Sequence, residues 1–250
     1  MGLFDYDQIA GLNKGEFRVY NYVVLHMSEV LEMNIRELAA KAGVSTTTVL
    51  RFCGKVGCDG YTELRYRIKK SLETKSDDVS SSLSAVSAVQ FLQNAMDNQM
   101  LAQKLDHAAE LCIEAGRIVF IGCGTSGCLA EYGAHLFASA GLAAYAMTDM
   151  FYPLPKAEMT GVILFVLSVS GETSSLVEQV SGYQKRGARI ISITNSDYCT
   201  IANISEFNFS YYMPQIYAAQ DNRFRTTLTT QIPVLYLLEA FAGKLNKKEK

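Results

Sequence analysis

Two short apolar segments that each stop at small and hydroxyl residues constrain the fold of this chain most. Residues 118–121 (IVFI) run into 122–127 (GCGTSG), and residues 162–167 (VILFVL) run into 168–173 (SVSGET). Such continuous apolar, β-branched runs are typical of parallel strands that are buried on both faces. A helical pattern follows each turn. The chain is therefore predicted to contain an α/β region with a parallel sheet.

The two turns predict a binding site for an anion. Ligands of open α/β sheets bind at the carboxyl ends of the strands. A turn that opens a helix there presents unpaired backbone N–H groups and the positive end of the helix dipole. Serine and threonine hydroxyls add further donors. Two such turns at one crevice would bind a phosphate without a metal ion.

The first turn also matches the glycine pattern of dinucleotide-binding sites, Gly122-x-Gly124-x-x-Gly127, with Asp149 about 20 residues further on. The pattern alone is weak evidence. Thr125 and Ser126 place hydroxyls where a pyrophosphate usually meets bare backbone, and the second turn repeats this hydroxyl chemistry. The sequence therefore favours a phosphate ester over a nicotinamide dinucleotide, and no cofactor is predicted.

The rest of the C-terminal region alternates between strand and helix patterns, which indicates right-handed crossovers between parallel strands. We predict strands at 117–121, 143–147, 162–167, 189–194 and 207–209, and helices at 86–116, 126–140, 176–186 and 225–245. Pro233 predicts a kink or a break in the last of these helices.

The N-terminal region has the pattern of a helix-turn-helix. Asn34 with Glu37 forms a capping box before a helix over Ile35–Ala42, and Ser45 can cap the next helix, Thr46–Lys55. Ala39 is small where the two helices cross, and Gly43 suits a left-handed turn. Further helices are predicted at 15–28 and 61–72.

Charge favours nucleic acid as the partner of this region. Residues 36–75 hold nine Lys or Arg and four acids, in a chain whose net charge is −2. Short hydroxyl donors and long cations on the second helix suit base edges and phosphates. A small helical bundle with a solvated charged face is the alternative. The predicted DNA-binding residues are Ser45, Thr46, Thr47, Thr48, Arg51, Lys55 and Tyr61.

Composition shifts divide the chain into a DNA-binding domain at 1–75, a Ser-rich polar linker at 76–90, and a second domain at 91–250. A frayed helix end is the alternative to the linker. None of the six cysteines forms a C-x-x-C pair, so reduced thiols that are buried or half-buried are expected and no metal site is predicted. Neither a secretory signal nor a membrane-spanning apolar run is expected, which predicts a cytoplasmic protein without a membrane partner.

The two turns together resemble the SIS (sugar isomerase) domain, which sugar-phosphate isomerases and the isomerase half of glucosamine-6-phosphate synthase carry. Combined with the helix-turn-helix motifs at 35–39, 43–45, 49–52 and 60–61, the chain resembles the RpiR/MurR-type transcription regulators over nearly its whole length. The resemblance implies an all-α helix-turn-helix domain followed by an α/β SIS domain, with a parallel sheet of about five strands flanked by helices.

The resemblance also implies that the turns bind the phosphate of a phosphosugar. The implied binding residues are Gly124, Thr125, Ser126, Ser168, Ser170, Gly171 and Thr173. The alternative that these residues serve only as helix caps stays open. The family often has a Ser-Arg element before its last helix, but this chain has NRFRTT at 222–227, which leaves the roles of Arg223 and Arg225 open.

Isomerases of the SIS type place a glutamate and a histidine near the phosphate. Here His26 lies in the DNA-binding region, His107 and His135 lie within predicted helices, and the loop at 148–152 has no histidine. Glu172 is the best candidate for an acid. We therefore predict a regulator of sugar metabolism rather than an enzyme, acting on operator DNA as a homodimer or homotetramer. A phosphosugar isomerase with an accessory helical domain is the main alternative, and a purely structural SIS dimer is another.

Overall fold

The computed structural model describes Phe4 and residues 6–73, 79–213, 216–217 and 227–245. By its internal contacts the chain divides into two compact units, each described by itself below. One comprises Met1–Asn94 with Tyr212–Thr230, and the other comprises Ala95–Tyr211 with Gln231–Lys250. No helix among the described residues is long and apolar enough to cross a membrane.

The first unit is mainly helical. Its core consists of fully buried apolar side chains from α2 to α6, whose bounds are given below. Among these side chains are Val19, Leu38, Val49, Phe52 and Leu64. The helices are α1 (Tyr6–Ala10), α2 (Lys14–Leu25), α3 (Met27–Glu32), α4 (Ile35–Ala42), α5 (Thr46–Lys55), α6 (Tyr61–Glu73) and α7 (Val79–Asp97).

Local signals set the helix-turn-helix formed by α4 and α5. The Asn34 side chain accepts hydrogen bonds from the Glu37 backbone, and the Glu37 carboxylate accepts one from the Asn34 N–H, so the predicted capping box is confirmed. Gly43 adopts a left-handed conformation with φ of 66°, which allows Val44 to donate to the Ala39 carbonyl at 2.9 Å. Both predicted helices have the predicted bounds.

The structure differs from the sequence prediction at two helices of this region, and it describes part of the predicted linker. The helix predicted at 15–28 ends at Leu25, and a separate α3 begins at Met27. Residues 79–90 of the predicted linker lie in α7, whereas residues 74–78 fall outside the described residues. Because a helix can join two domains as well as a loop can, the domain boundaries stay a prediction. The short α1 has no counterpart in the sequence prediction.

The second unit is a five-stranded sheet with helices on both faces, as predicted. All four pairs of neighbouring strands are parallel, in the order β2-β1-β3-β4-β5. Its elements are α8 (Gln99–Glu114), β1 (Arg117–Gly122), α9 (Thr125–Ser139), β2 (Ala144–Met147), β3 (Val162–Ser168), α10 (Ser174–Gln184), β4 (Arg189–Thr194), α11 (Thr200–Ile204), β5 (Phe207–Ser210) and α12 (Ile232–Leu245).

The central strand β3 is buried along all seven of its residues, which explains its uninterrupted apolar sequence. On one face, the Phe120 and Phe165 rings stack with centroids 4.7 Å apart. Phe137 packs edge-on against both rings, and Phe241 packs edge-on against Phe165. On the other face, aliphatic side chains of β1 and β3 pack against α10. Helices on both faces therefore hold the strand ends in fixed positions.

Two predicted helices have different bounds. The helix predicted at 86–116 is broken at Asn98, whose side chain accepts from the Leu101 N–H at 2.9 Å and starts α8. The closing helix begins at Ile232 rather than at 225, so Pro233 lies in its first turn. The N–H groups of the first turn make no bond within the helix, so the N–H that proline lacks is not needed there. A two-stranded antiparallel ladder, β6 (Ile216–Tyr217) with β7 (Thr227–Leu228), precedes that helix and was not predicted.

Candidate functional site

The strand order places the two hydroxyl-rich turns side by side. The chain passes from β1 to β2 at one edge and then returns to β3 on the other side of β1, so the order reverses between β1 and β3. Open α/β sheets bind ligands in the crevice at such a switch point, beyond the carboxyl ends of the strands. Gly122 pairs with Leu167 at the ends of these two strands. The turns that follow them therefore flank the crevice.

The first turn leads directly into α9. Gly124 precedes the helix with φ of 56° and ψ of −128°, and no side chain caps the helix. The Ser126 N–H donates to the Cys123 carbonyl at 3.1 Å and the Gly127 N–H donates to the Gly124 carbonyl at 2.9 Å, so the turn offers a ligand the positive end of the helix dipole and the Thr125 hydroxyl. Thr125 is exposed at the helix start, and Ser126 is buried beneath it.

Close packing against β1 fixes the position of this turn. A Cβ atom at Gly122 would lie 2.6 Å from the Ser126 carbonyl oxygen and 3.0 Å from that of Leu167. A Cβ atom at Gly127 would lie 3.0 Å from the Gly122 carbonyl oxygen. These neighbours are backbone atoms, which cannot move aside. Only glycine at 122 lets the start of α9 approach the strand so closely.

The second turn is held by its own serine hydroxyls. Ser168 Oγ accepts from the Gly171 N–H at 3.0 Å and is buried, and the exposed Ser170 Oγ accepts from the Glu172 N–H at 3.2 Å. Gly171 adopts a left-handed conformation, and Thr173 precedes α10 without a side-chain capping bond. A hydroxyl that accepts a hydrogen bond still has its own hydrogen to donate. Both serines can therefore close the turn and donate to a phosphate.

Glu172, the candidate acid, is bound to a neighbouring helix. Its Oε1 accepts from the Thr200 N–H at 2.9 Å, and its Oε2 accepts from the Thr200 hydroxyl at 2.7 Å, at the start of α11. His107 and His135 lie on exposed faces of α8 and α9. His135 is ten residues into α9, about 15 Å along the helix from the crevice. The position of His135 therefore keeps it away from the first turn.

The candidate DNA-binding surface is the outward face of α5. Thr47, Leu50, Arg51 and Gly54 are exposed, and Thr46 is half-buried at the helix start. Helical spacing brings these exposed residues together on one side. Among the residues that the structure describes, none forms a hydrogen bond or an ion pair with the Arg51 guanidinium. Arg51 is therefore available to an outside partner.

Two of the predicted DNA-binding residues also stabilise the turn. Ser45 Oγ accepts from the Thr48 N–H at 3.2 Å and lies 2.9 Å from the Thr48 hydroxyl. The methyl group of Thr48 is 3.0 Å from the point that a Cβ atom of Gly15 would occupy, so α2 and α5 are in close contact here. The structure thus gives Ser45 a role as the cap of α5 and Thr48 a role in helix packing.

Two further predicted DNA-binding residues bind other parts of the helical unit. Lys55 Nζ donates to the Gly11 carbonyl at 2.7 Å and pairs with the buried Glu16 carboxylate at 2.8 Å. The Tyr61 hydroxyl lies 2.9 Å from the Met33 carbonyl oxygen. The structure assigns both side chains a stabilising role, and their contact with DNA stays a prediction.

Glu16→Gln is expected to destabilise the protein by about 1–3 kcal/mol at pH 7, because it leaves Lys55 without its buried partner. Burial raises the pKa of Glu16, but the hydrogen bond from Asn13 and the charges of Lys55 and Arg51 outweigh burial and hold the pKa below its usual value. Because the pKa of Glu16 is lower in the folded protein, the ionised carboxylate stabilises the fold at pH values above the pKa that Glu16 has in the unfolded chain. This stabilisation is lost as the pH falls through the pKa of Glu16 in the folded protein.

Urea unfolding of both proteins across pH 3–7 measures this effect. The difference in unfolding free energy should shrink as Glu16 becomes protonated. Glu32→Gln makes the same change at an exposed position of α3 and should have little effect at any pH. A difference between wild type and Glu16→Gln that stays constant over this range would contradict the proposed ion pair.

Sequence reasoning missed Leu50 and Gly54 on the α5 face and the bond between Glu172 and Thr200. Positions 47, 50, 51 and 54 lie on one face of a helix, so this spacing was sufficient to predict that Leu50 and Gly54 share the surface of Thr47 and Arg51. The bond between Glu172 and Thr200 depends on the position of α11, which was not predicted. Arg223 and Arg225, whose roles the sequence left open, lie outside the described residues.

Comparison with protein-family models gives two matches. A model described as "Helix-turn-helix domain, rpiR family" matches residues 7–75. A model of the SIS domain matches residues 111–238, about half of the chain. The first match includes α4 and α5, and the second includes both hydroxyl-rich turns.

Relatives resemble the chain over most of its length. The HTH-type transcriptional regulator HexR of Pseudomonas aeruginosa is 28% identical over 244 residues, which cover 92% of this chain and 84% of HexR. An uncharacterised HTH-type transcriptional regulator of Caldanaerobacter subterraneus, TTE0211, is 27% identical and covers 92% of this chain and 87% of its own. The solved structure of Vibrio vulnificus NanR complexed with ManNAc-6P has a TM-score of 0.55 at 23% identity, covering 94% of this chain and 87% of NanR. It is similar in fold.

Proposed function

The chain belongs to the rpiR family of helix-turn-helix proteins and carries a SIS domain, and from this membership we propose that it is a DNA-binding transcriptional regulator of sugar metabolism. Its SIS domain binds a phosphosugar, and its helix-turn-helix binds operator DNA. The observation that carries this proposal is the presence, in one chain, of an unpaired arginine on the outward face of α5 and two hydroxyl-lined turns at a sheet switch point.

The phosphate of the ligand binds between the two turns. Helix N-termini and neutral hydroxyls suit a phosphate, because they supply directed donors and the favourable end of the helix dipole. NanR, which shares the fold, was solved with the sugar phosphate ManNAc-6P. The proposed ligand residues are Gly124, Thr125, Ser126, Ser168, Ser170, Gly171 and Thr173.

The site is proposed to bind its ligand without converting it. Moving a proton between two carbons of a sugar requires a general base within hydrogen-bond reach. The Glu172 carboxylate is engaged with Thr200, His107 lies on an exposed helix face, and His135 lies about 15 Å along α9 from the first turn. The alternative, a phosphosugar isomerase, predicts a new sugar phosphate in the NMR spectrum after incubation. The regulator predicts an unchanged spectrum.

Regulation follows from a difference in ligand affinity between two arrangements of the protein. A ligand shifts an equilibrium only by its differential affinity for the two states. The protein acts in the cytoplasm as a homodimer or homotetramer, so that two helix-turn-helix domains bind two half-sites of an operator. The phosphosugar changes their relative placement and with it the affinity for DNA.

A thermal-shift panel of sugar phosphates, with the free sugars as controls, tests the ligand. A ligand that binds only the folded protein raises its melting temperature with concentration. We expect one phosphosugar to stabilise the chain and its free sugar to have no effect. Equal stabilisation by the free sugar would contradict a phosphate site at the two turns.

Ser170→Ala is expected to weaken binding of that phosphosugar by about 1.5–2 kcal/mol, because one hydroxyl donor to a charged group is lost. Hydrogen bonds to charged groups contribute about 1.5–3 kcal/mol, and we expect a value at the lower end because Ser170 is exposed to water. Calorimetric titration of both proteins measures the change. Ser139→Ala makes the same substitution at the exposed end of α9 and should leave affinity unchanged. Equal affinity of wild type and Ser170→Ala would place the phosphate elsewhere.

A further inference from the structure

The outward face of α5 carries a leucine where a DNA-contacting surface is expected to be polar. Leu50 is 50% exposed, whereas its neighbour Val49 is fully buried in the core of the helical unit. A single exposed leucine is ordinary on a protein surface. Its position makes Leu50 informative, because it shares the face that presents Thr47 and Arg51.

The surface next to Leu50 is open. Gly54 lies one turn further along α5, and a Cβ atom placed there would meet nothing within 4 Å. Thr47 lies almost one turn before Leu50, with a short side chain. Leu50 is therefore the largest apolar group on this face, and neither neighbour along the helix would hold a base edge away from it.

We propose that Leu50 contacts the 5-methyl group of a thymine in the major groove and so selects thymine at one position of the operator. The inference rests on the proposed function and deepens it. Thymine presents a methyl group in the major groove, whereas cytosine presents an amino donor and the purines present polar edges. A leucine gains free energy by burying a methyl group and loses it by covering an amino group without a partner.

Arg51 provides the charged contact beside this apolar one. It is adjacent in sequence, exposed, and unpaired among the residues that the structure describes. An arginine binds a phosphate or the edge of a guanine, which orients α5 in the groove. Leu50 then lies over a base edge rather than over the phosphate backbone, and it contributes to specificity more than to general affinity.

The test is a double-mutant cycle between Leu50 and the thymine methyl groups. DNA bound by the full wild-type chain is selected from a random pool, and each thymine is then replaced by deoxyuridine, which lacks only the methyl group. For wild type, one replacement in each half-site should weaken binding about fourfold, because the free energy of burying one methyl group is lost. For Leu50→Ala, the same replacement should leave the dissociation constant unchanged.

Val89→Ala is the matched control. Val89 is 52% exposed on α7, so the substitution removes a similarly exposed apolar side chain outside α5. This variant should keep the wild-type sensitivity to deoxyuridine. Circular dichroism confirms that both variants are folded before binding is measured.

Two results would overturn the inference while leaving the proposed function intact. In one, wild type binds the selected DNA but no deoxyuridine replacement affects it. In the other, Leu50→Ala loses affinity yet keeps the full deoxyuridine effect, which would indicate that Leu50 contacts protein rather than a thymine. If the wild-type chain selects no DNA sequence at all, the proposed function itself fails, and this inference fails with it.

Discussion

Gly122→Ala is expected to destabilise the α/β unit by about 3 kcal/mol or more and to abolish binding of the phosphosugar. The added methyl group would lie 2.6 Å from the Ser126 carbonyl oxygen and 3.0 Å from the Leu167 carbonyl oxygen. Both atoms belong to backbone that the sheet and α9 fix in place. Relief of the clash would require the start of α9 to move away from β1, and this movement would also displace the donors of the first turn.

Urea unfolding and calorimetric titration of the full chain measure the two effects. Gly243→Ala is the control, since a Cβ atom at this position of α12 would meet nothing within 4 Å. That substitution should stabilise the helix by about 0.5–1 kcal/mol, as alanine does in place of glycine. A Gly122→Ala protein with wild-type stability and wild-type ligand affinity would contradict the described packing of the turn.

Arg51→Ala is expected to weaken operator binding by about 1–3 kcal/mol per contact and to leave phosphosugar binding unchanged. Arg51 projects from the exposed face of α5 and is not paired within the described part of the chain. Its loss therefore costs the protein no internal bond. If the contact is to a phosphate, the slope of log affinity against log salt concentration should fall by about one.

Fluorescence anisotropy with labelled operator, over a range of salt concentrations, measures both quantities. Arg51→Lys retains the charge but not the planar fork of donors, so it separates a phosphate contact from a bidentate contact with guanine. Lys156→Ala removes one exposed positive charge from the α/β unit and is the control for net charge. Unchanged DNA affinity of Arg51→Ala would exclude α5 as the recognition helix.

Local signals explain why so much of the fold could be predicted from the sequence. Asn34 and Glu37 cap α4 within four residues of each other, and Gly43 permits the turn after α4 because it alone tolerates that backbone conformation at no cost. The uninterrupted apolar sequence of β3 results from burial on both faces of the sheet.

The wrong helix bounds lie where the sequence pattern permits more than one local structure. The pattern at 86–116 is apolar at helical spacing on both sides of Asn98, so periodicity alone does not reveal the break, although Asn98 is a good helix cap. Pro233 was interpreted as a kink or a break within a helix that begins at 225, but proline is also favoured in the first turn of a helix, where the structure places it.

The candidate site was predictable where strand geometry determines it. Parallel strands end at the same edge of a sheet, so two hydroxyl-rich strand ends imply neighbouring turns once the strands are adjacent. Long-range contacts could not be predicted. Lys55 binds Gly11, which is 44 residues away, and Tyr61 binds Met33, which is 28 residues away. No local pattern distinguishes such anchored side chains from those available to DNA.

The affinity of the full chain for its selected operator, with and without the stabilising phosphosugar, measures whether ligand binding and DNA binding are coupled. We expect the phosphosugar to change the dissociation constant for DNA by about 5-fold or more, which corresponds to a coupling free energy of about 1–3 kcal/mol. Ser170→Ala should show the same change only at higher phosphosugar concentration. DNA binding that stays constant while the phosphosugar saturates the protein would exclude regulation of DNA binding by this ligand.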